Sequence, residues 1–527
     1  MIRNYFQKYS VLFGLFGLLL SALSVNVADL DMFHEMALFR EAIAIGKIPT
    51  QDLYSYVPTV NPIIHHEWGT GAFLYFIAIS CGLGGTGLIV LKYIVSAGIF
   101  YICFLYSKKE NVTADVFSLF ALSAFVIASI GFRSTIRAHL FSLLFLVILL
   151  KFLQKDRLGN KKWVIAWLPL HIVWLNMHAA FVLGFGVIFF QIVERTILII
   201  SNQRSFHRAL IEVKHLIFLS VAMILATLIN PYGIDYIQYL YKGLTLDRSP
   251  YISEWRPIWD TVHGSVRSYG IPIFIFYITL LIYSFKKLQF RELPNYLFLS
   301  VTAYFSALHI RYLSVFLITW ICCVPTYIIK TNIGDALVNF FNERKLSISI
   351  LWVILGLSGL IVSVQNNFLY LDIPTSTSEF SKKHKTTNKI FPVGAVNYLF
   401  DQEFMGNLMV PFSAGSYVSW KLYPDVKVSI DSRFEVAYSV EWATQQIRFY
   451  KGEKNWKNTL TRFPTDAVLT PRNSQIEKLL LKNQTDKAIL FDQTYKDNDF
   501  SIFIRSGFAD NFNIIDNTGK VIIGEFP

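Results

Sequence analysis

Over the first 364 residues, apolar positions gather in long runs separated by short polar segments, and beyond that point the runs shorten to strand length. A helix needs roughly 20 residues to cross about 30 Å of hydrocarbon, and many of the long runs approach that length. The first, Val11–Ala28, follows Arg3 and Lys8 and lacks a small-x-small cleavage site, so it reads as an uncleaved signal anchor. A polar stretch to Trp68 comes next. Ala72–Leu83 is too brief to span comfortably and reads as interfacial or re-entrant. Spans are then expected near Thr86–Tyr106, Thr113–Gly131, Leu140–Leu153, Trp163–Leu175, Ala179–Ile199, His215–Ile229, Gly270–Phe285, Tyr296–Leu308, Tyr312–Ile329 and Leu346–Val364. With the first run these make about eleven crossings, the pattern of a polytopic α-helical membrane protein.

After the last span the texture changes. "STSEFSKKHKTTNK" is polar and aperiodic and reads as a link. Short apolar runs follow, "NLMVPF", "SYVSWKL", "KVSID", "DAVLT", "KAILF" and "FSIFI", and all six are expected as strands. Helical patterns such as "SVEWATQQIRFY" and "NSQIEKLLL" lie between several of them. The expected organisation is a transmembrane domain over 1–364 with a large first loop at 29–68, and an α/β domain with a partly parallel sheet over 365–527.

Charge assigns the sides. The formal net charge is +12, yet only 16% of residues are charged and 54% are hydrophobic. The excess sits in short loops (Lys108 and Lys109, Lys151 to Lys162, Arg195 to Lys214, Lys286 to Arg291, Lys330 to Lys345), which is a topology signal and not a nucleic-acid-binding face. No nucleic-acid partner is expected. Cytoplasmic placement of these loops and of the N-terminus puts the C-terminal domain on the opposite side. The cysteines, Cys81, Cys103, Cys322 and Cys323, form no CxxC or spaced disulfide pattern and read as small core residues.

With the sides assigned, the unusual polar residues nearly all fall on the outer face. They are Asp29, Asp31, His34 and Glu35; "HHEW" (His65, His66, Glu67, Trp68); Arg133, Arg137 and His139; Asn176 and His178; "NPYG" at Asn230–Gly233; Glu254, Trp255 and Arg256; and His309 and Arg311. Ionisable groups near bilayer depth are costly and usually face a protein interior or a water-filled cavity, so these loops read as the rim of one outward-facing site. If "MFHEMALFREAIAI" is helical, Asp31 and His34 share a face, and Asp29 and Asp31 start the helix, where carboxylates are favoured as caps and by the dipole. A positioned carboxylate can take a proton from a nucleophile. Arginines offer two-pronged donors to phosphate. Together they describe transfer of a group carried on a lipid phosphate, without naming the group. Other readings of the same residues are a transporter or flippase of a lipid-linked substrate, or a non-catalytic envelope assembly protein. A transporter would place its charges at mid-membrane in two related halves, and no duplicated half is visible. "YIQYLY" reads as an interfacial helix face, and His171 and His215 as packed or interfacial.

The motifs as a set resemble the GT-C superfamily of membrane glycosyltransferases, which includes protein O-mannosyltransferases, aminoarabinose transferases and oligosaccharyltransferases. More narrowly they resemble a group of bacterial multi-pass membrane proteins related to it. The first loop carries the likeness through Asp29, Asp31, His34, Gly46, Pro49, Asp52, Ser55, Tyr56, His66, Glu67 and Trp68. Arg133 and Arg137, Trp174-x-Asn176-x-His178, N-P-Y-G, E-W-R-P and "GSYVSWKLYPDVKVSIDSR" extend it over most of the chain. Two departures stand out. Met32-Phe33 replace the usual paired aromatics, and Asp431-Ser432-Arg433 replaces the usual D-G-R; neither removes a charge.

The resemblance implies an inverting glycosyltransferase that uses a polyprenyl-phosphate sugar at the outer face of a bacterial cytoplasmic membrane, with a protein, glycan or lipid acceptor. It implies Asp31 as base or as the group orienting the acceptor hydroxyl, assisted by Asp29 and Glu67. Arg133, Arg137, Arg256 and Arg311 would meet the lipid phosphate. His34, His66, Trp68, Asn176, His178, Glu254, Asp431 and Arg433 would complete the substrate-binding set. Members of the superfamily differ in metal dependence, and Asp29, Asp31, His34 and His66 could bind a divalent cation.

Overall fold

The computed structural model describes residues 2–131, 136–202, 205–250, 252–262, 268, 270–375, 391–482 and 491–527. Arg133 and the polar link at 376–389 lie outside the described residues. The chain divides into two compact units. One comprises Met1–Val25, Val90–Arg133 and Ala138–Leu369; the other comprises Asn26–Ile89, Ser134–Arg137 and Tyr370–Pro527.

The first unit is helical. All eleven expected runs form helices: α1 (Ile2–Leu23), α4 (Gly84–Lys109, most of which lies in this unit), α5 (Ala114–Gly131), α6 (Ala138–Arg157), α7 (Trp163–Met177), α8 (Val182–Ser201), α9 (Phe206–Ala226), α11 (Ile271–Lys287), α12 (Tyr296–Leu308), α13 (Leu313–Ile328) and α15 (Lys345–Gln365). Among the described residues six helices are long and apolar enough to cross a membrane: α4, α6, α9, α15, and α8 and α13 with the short turns that precede them. The "YIQYLY" stretch lies in α10 (Asp235–Thr245), with Tyr236 buried and Tyr241 exposed. The remaining helix, α14 (Asn332–Glu343), is short and amphipathic.

Without a hydrophobic driving force in lipid, helices associate through close packing of small residues. Helices α1 and α15 do so through glycines. A Cβ on Gly17 would stand 2.3 Å from the Gly356 carbonyl oxygen, and one on Gly359 2.4 Å from that of Gly17. Buried polar groups join other helix ends. Asp156 accepts from Trp163 Nε1 at 2.8 Å and meets Arg195 and His215, so α6 to α9 share one buried carboxylate. Glu194 on α8 accepts the backbone N–H of Asn295 (2.9 Å) and Leu297 (2.7 Å), satisfying orphan donors at the start of α12.

The second unit joins the first loop to the C-terminal segment. Its loop helices are α2 (Leu30–Ile45), closed by Gly46 at φ 79°, and α3 (Trp68–Tyr75). Ala72–Leu83 is thus helical in its first part, continuing as a wider turn over Phe76–Ser80. The C-terminal part holds a six-stranded sheet in the order β2-β1-β3-β5-β4-β6. The strands are β1 (Gly406–Met409), β2 (Val426–Val428), β3 (Ala467–Pro471), β4 (Phe491–Lys496), β5 (Phe500–Arg505) and β6 (Ile515–Asp516). The β1–β2, β1–β3 and β4–β6 pairs are parallel, and the pairs made by β5 are antiparallel, so the sheet is partly parallel as expected. Helices α16 (Val393–Asp401), α17 (Gly415–Leu422), α18 (Val440–Tyr450), α19 (Trp456–Arg462) and α20 (Gln475–Lys482) accompany it. One expected strand is corrected: "SYVSWKL" is helix α17. Nearly every residue in it is buried, so its short apolar run fits either period. Gly415 starts it where a Cβ would collide with the Ile430 carbonyl oxygen at 1.9 Å.

The first loop is fastened to this sheet. Its backbone at Tyr54–Tyr56 extends the edge at β2, with Val428 N–H donating to the Tyr54 carbonyl (2.8 Å) and Tyr56 N–H to that of Val428 (3.2 Å). Beside that edge Arg433 is buried between two acids. Its Nε lies 2.9 Å from Asp431 Oδ1 and its Nη1 2.6 Å from Asp52 Oδ1. Tyr54 lies under the guanidinium at 5.2 Å.

Two variants test these packings. Gly359→Ile is expected to lower the thermal midpoint of the purified protein, with overpacking costing about 1–3 kcal/mol. Gly98→Ala, whose added Cβ meets nothing within 4 Å, is the control expected to leave it unchanged. Arg433→Met leaves two buried carboxylates without their cation and is expected to cost about 3–5 kcal/mol in the same measurement.

Candidate active site

The N-terminus of α2 organises the acids. Asp29 is the cap: its backbone is extended and its side chain accepts the N–H of Asp31 at 3.1 Å, which satisfies one orphan donor of the first turn. Asp29 is buried, whereas Asp31 is half exposed. Arg137 bridges the pair, with Nε 3.3 Å from Asp29 Oδ1 and Nη2 2.6 Å from Asp31 Oδ2. One guanidinium thus sets the spacing of both carboxylates.

One turn further along α2, His34 and Glu35 meet Glu67, the residue before α3. Ligand-type atoms of these three side chains all lie within 4.8 Å of one another. Gly71 permits the approach. A Cβ there would stand 2.4 Å from the Glu35 carbonyl oxygen, so α3 lies directly against α2. Glu35 is buried and its Oε2 has no hydrogen-bond partner. Burial, reinforced by the neighbouring Glu67 carboxylate, pushes the Glu35 carboxyl well above the usual range. His66 Nε2 lies 3.5 Å from Glu67 Oε1, and Trp68 begins α3 half-buried. Glu35 falls outside the expected site set although it sits four residues after Asp31, the spacing that shares a helix face.

The segment 431–433 supports this cluster from behind. His34 Nδ1 lies 2.9 Å from Ser432 Oγ, which in turn lies 2.8 Å from Ser416 Oγ. Burial lowers the His34 pKa, and the Asp31 charge opposes that only in part. Arg433 is engaged by both Asp431 and Asp52. Burial alone would raise the Asp431 carboxyl, but the Arg433 guanidinium outweighs it and holds the group below the ordinary carboxylate range. His65, also buried, is kept well below the usual imidazole pKa by burial and then by Arg433. Asp52, Ser416 and Ser432 complete the site's support; Asp52 reaches Arg433 and Ser432 reaches His34 across hundreds of residues, while Ser416 meets Ser432 sixteen residues away.

In the helical unit the other candidates form two groups. Asn176 Nδ2 donates to the carbonyls of Ile172 and Ile229, both at 2.9 Å, and fastens the end of α7 to the end of α9. Trp174 Nε1 donates to Ser142 Oγ (2.8 Å), whose hydroxyl meets His178 Nδ1 at 2.7 Å. The second group brings "SEWRP" and "HIRY" together. His309 Nδ1 donates to the Trp255 carbonyl at 2.6 Å, and Arg311 lies 5.3 Å from the Trp255 ring. Arg248, which the motif reading did not select, lies 4.9 Å from the same ring. Trp255 Nε1 is buried without a hydrogen-bond partner. Glu254 shares the turn with Trp255, and Arg256 Nε donates to the Ser249 carbonyl at 3.0 Å.

No family model matches the chain, and no curated protein matches it by sequence. Solved structures do. Two of an oligosaccharyltransferase from the archaeon Archaeoglobus fulgidus, one tethered to an acceptor peptide and one in complex with an inhibitory peptide and a dolichol-phosphate, each cover 89% of this chain and 70% of their own, with a TM-score of 0.54. Sequence identity is 10% and 11%, so the likeness is one of fold. That oligosaccharyltransferase belongs to the GT-C superfamily, and the fold of this chain is the one its motifs led us to expect.

Proposed function

We propose that this protein transfers a sugar from a polyprenyl-phosphate donor to an acceptor at the outer face of a bacterial cytoplasmic membrane. The observation that carries the reading is the acid cluster at the start of α2, bridged by Arg137, on a fold shared with an oligosaccharyltransferase. The dolichol-phosphate bound by that neighbour supports a lipid-phosphate carrier here. Asp31 is the acid for the chemistry, because Asp29 is buried as a cap while Asp31 is half exposed and spends only Oδ2 on Arg137. Its Oδ1 takes the acceptor proton. The acceptor oxygen forms a bond to the anomeric carbon as the bond from that carbon to the phosphate oxygen breaks. The electron pair leaves with the polyprenyl phosphate, and the configuration inverts. Glu67 and His34 line the acceptor side, and Asp431 and Arg433 act by positioning. Taken within the helical unit alone, the cations around Trp255, Arg311 and Arg248 with Arg256, are of the kind that suits a phosphate.

His34, Glu35 and Glu67 fit a divalent cation, since they combine one imidazole, two carboxylates and a buried carboxylate oxygen without a partner. Such an ion would offset negative charge on a bound substrate. Of the four ligands expected from sequence, His34 belongs to this group; Asp29 and Asp31 are held by Arg137, and His66 by Glu67.

Two measurements test the reading. Sugar transfer in membranes, assayed with a panel of polyprenyl-phosphate sugars, is expected for the wild type and to fall at least about 100-fold in Asp31→Asn, the scale of general base catalysis. Full activity of the variant moves the base to Asp29 or Glu67, and wild-type silence with every donor sinks the reading. Separately, Mn2+ titration followed by electron paramagnetic resonance is expected to show one bound ion, weakened roughly 10-fold or more in Glu35→Gln. Equal binding by the variant removes Glu35 from the ligand set.

A further inference from the structure

The hydrogen bonds around Ser432 carry information about His34 that the acid cluster alone does not. Ser416 Oγ accepts the backbone N–H of Ser432 at 3.1 Å. The two hydroxyls lie 2.8 Å apart, and His34 Nδ1 lies 2.9 Å from Ser432 Oγ. Ser416 is buried, and its nearest acceptor for a hydroxyl proton is Ser432 Oγ. One proton order gives each of these hydroxyl protons an acceptor within the group. Ser416 O–H donates to Ser432, and Ser432 O–H donates to His34 Nδ1. In the reverse order Nδ1–H would donate to Ser432 and Ser432 to Ser416, and the Ser416 proton would be left buried without an acceptor, at a cost of about 1–3 kcal/mol.

We propose that Ser432, backed by Ser416, is a positioning residue that fixes His34 in the Nε2–H tautomer. The sheet domain thereby sets which ring nitrogen of this α2 side chain carries the proton. A ring whose second nitrogen is held by a defined partner keeps both its orientation and its proton placement. The hydroxyl at 432 is the part of the Asp431-Ser432-Arg433 segment that does this, since the flanking charges are spent on each other and on Asp52. A cation at Nε2 would require the opposite proton order, with Nδ1–H donating to Ser432, which the two hydroxyls reach by rotation.

The consequence for transfer rests on the function proposed above; the tautomer does not. The test is nitrogen NMR of the full chain with 15N-labelled histidine, in detergent with a chelator present, and His34 assigned by its loss in His34→Gln. The wild type is expected to show His34 as Nε2–H with Nδ1 as acceptor. Ser432→Ala and Ser432→Gly are expected to give a mixture of tautomers, and Ser432→Thr, which keeps the hydroxyl, to restore the wild-type spectrum. An Nδ1–H tautomer in the wild type, or an unchanged spectrum in Ser432→Ala, overturns the proposal. In the transfer assay Ser432→Ala is expected to lose about 10-fold in kcat/KM, with Ser432→Thr regaining most of it. An Ala variant as active as wild type overturns the link to transfer. Wild-type silence in that assay counts against the proposed function, while the spectra still decide the tautomer.

Discussion

Arg433 is the constraint on which the second unit depends. Its guanidinium is held within the protein by Asp431 from the sheet and Asp52 from the first loop. Removing a guanidinium from water costs several kcal/mol, and two carboxylates with good geometry are what make the burial tolerable. The pairing also fixes a register. Asp52 can reach Arg433 only if the loop backbone at Tyr54–Tyr56 lies along the edge of β2, and that edge then carries its own hydrogen bonds. The residue beside Arg433 holds His34, so one three-residue segment sets both where the loop runs and how a site side chain is turned.

The helices of the first unit were legible because they are written as long apolar runs, six of them long enough to cross a membrane among the described residues. The acid motif of the first loop was legible for a similar reason: Asp29, Asp31 and His34 are close in sequence and stand where a chain leaves the bilayer. What was not legible depends on contacts at a distance. Ser432 and His34 are 398 residues apart, and although each stands in a motif, nothing local pairs the one with the other. Glu35 looked like one more polar residue on a helix. Its distinction comes from Gly71, which brings α3 close enough to place a second carboxylate beside it. Helix α17 was mistaken for a strand because burial on all sides erases the periodicity that separates the two.

Charges within this chain fall into two kinds, and the difference separates support from chemistry. Asp156 is matched by Arg195, Trp163 and His215, although Arg195 Nη2 and His215 Nδ1 stay buried without a partner, and Arg433 is matched by Asp431 and Asp52. Such arrangements hold elements together. The start of α2 is different. Asp29, Asp31, Glu35 and Glu67 gather there with Arg137 bridging the first two, and a buried Glu35 oxygen stays without a partner. Around Trp255, two guanidiniums approach one indole whose buried N–H has no acceptor. Open valences of this kind lower stability, so their presence needs a reason beyond folding. Within its own unit, the acid set suits a proton or a cation, and within the helical unit the guanidiniums beside Trp255 suit an anion.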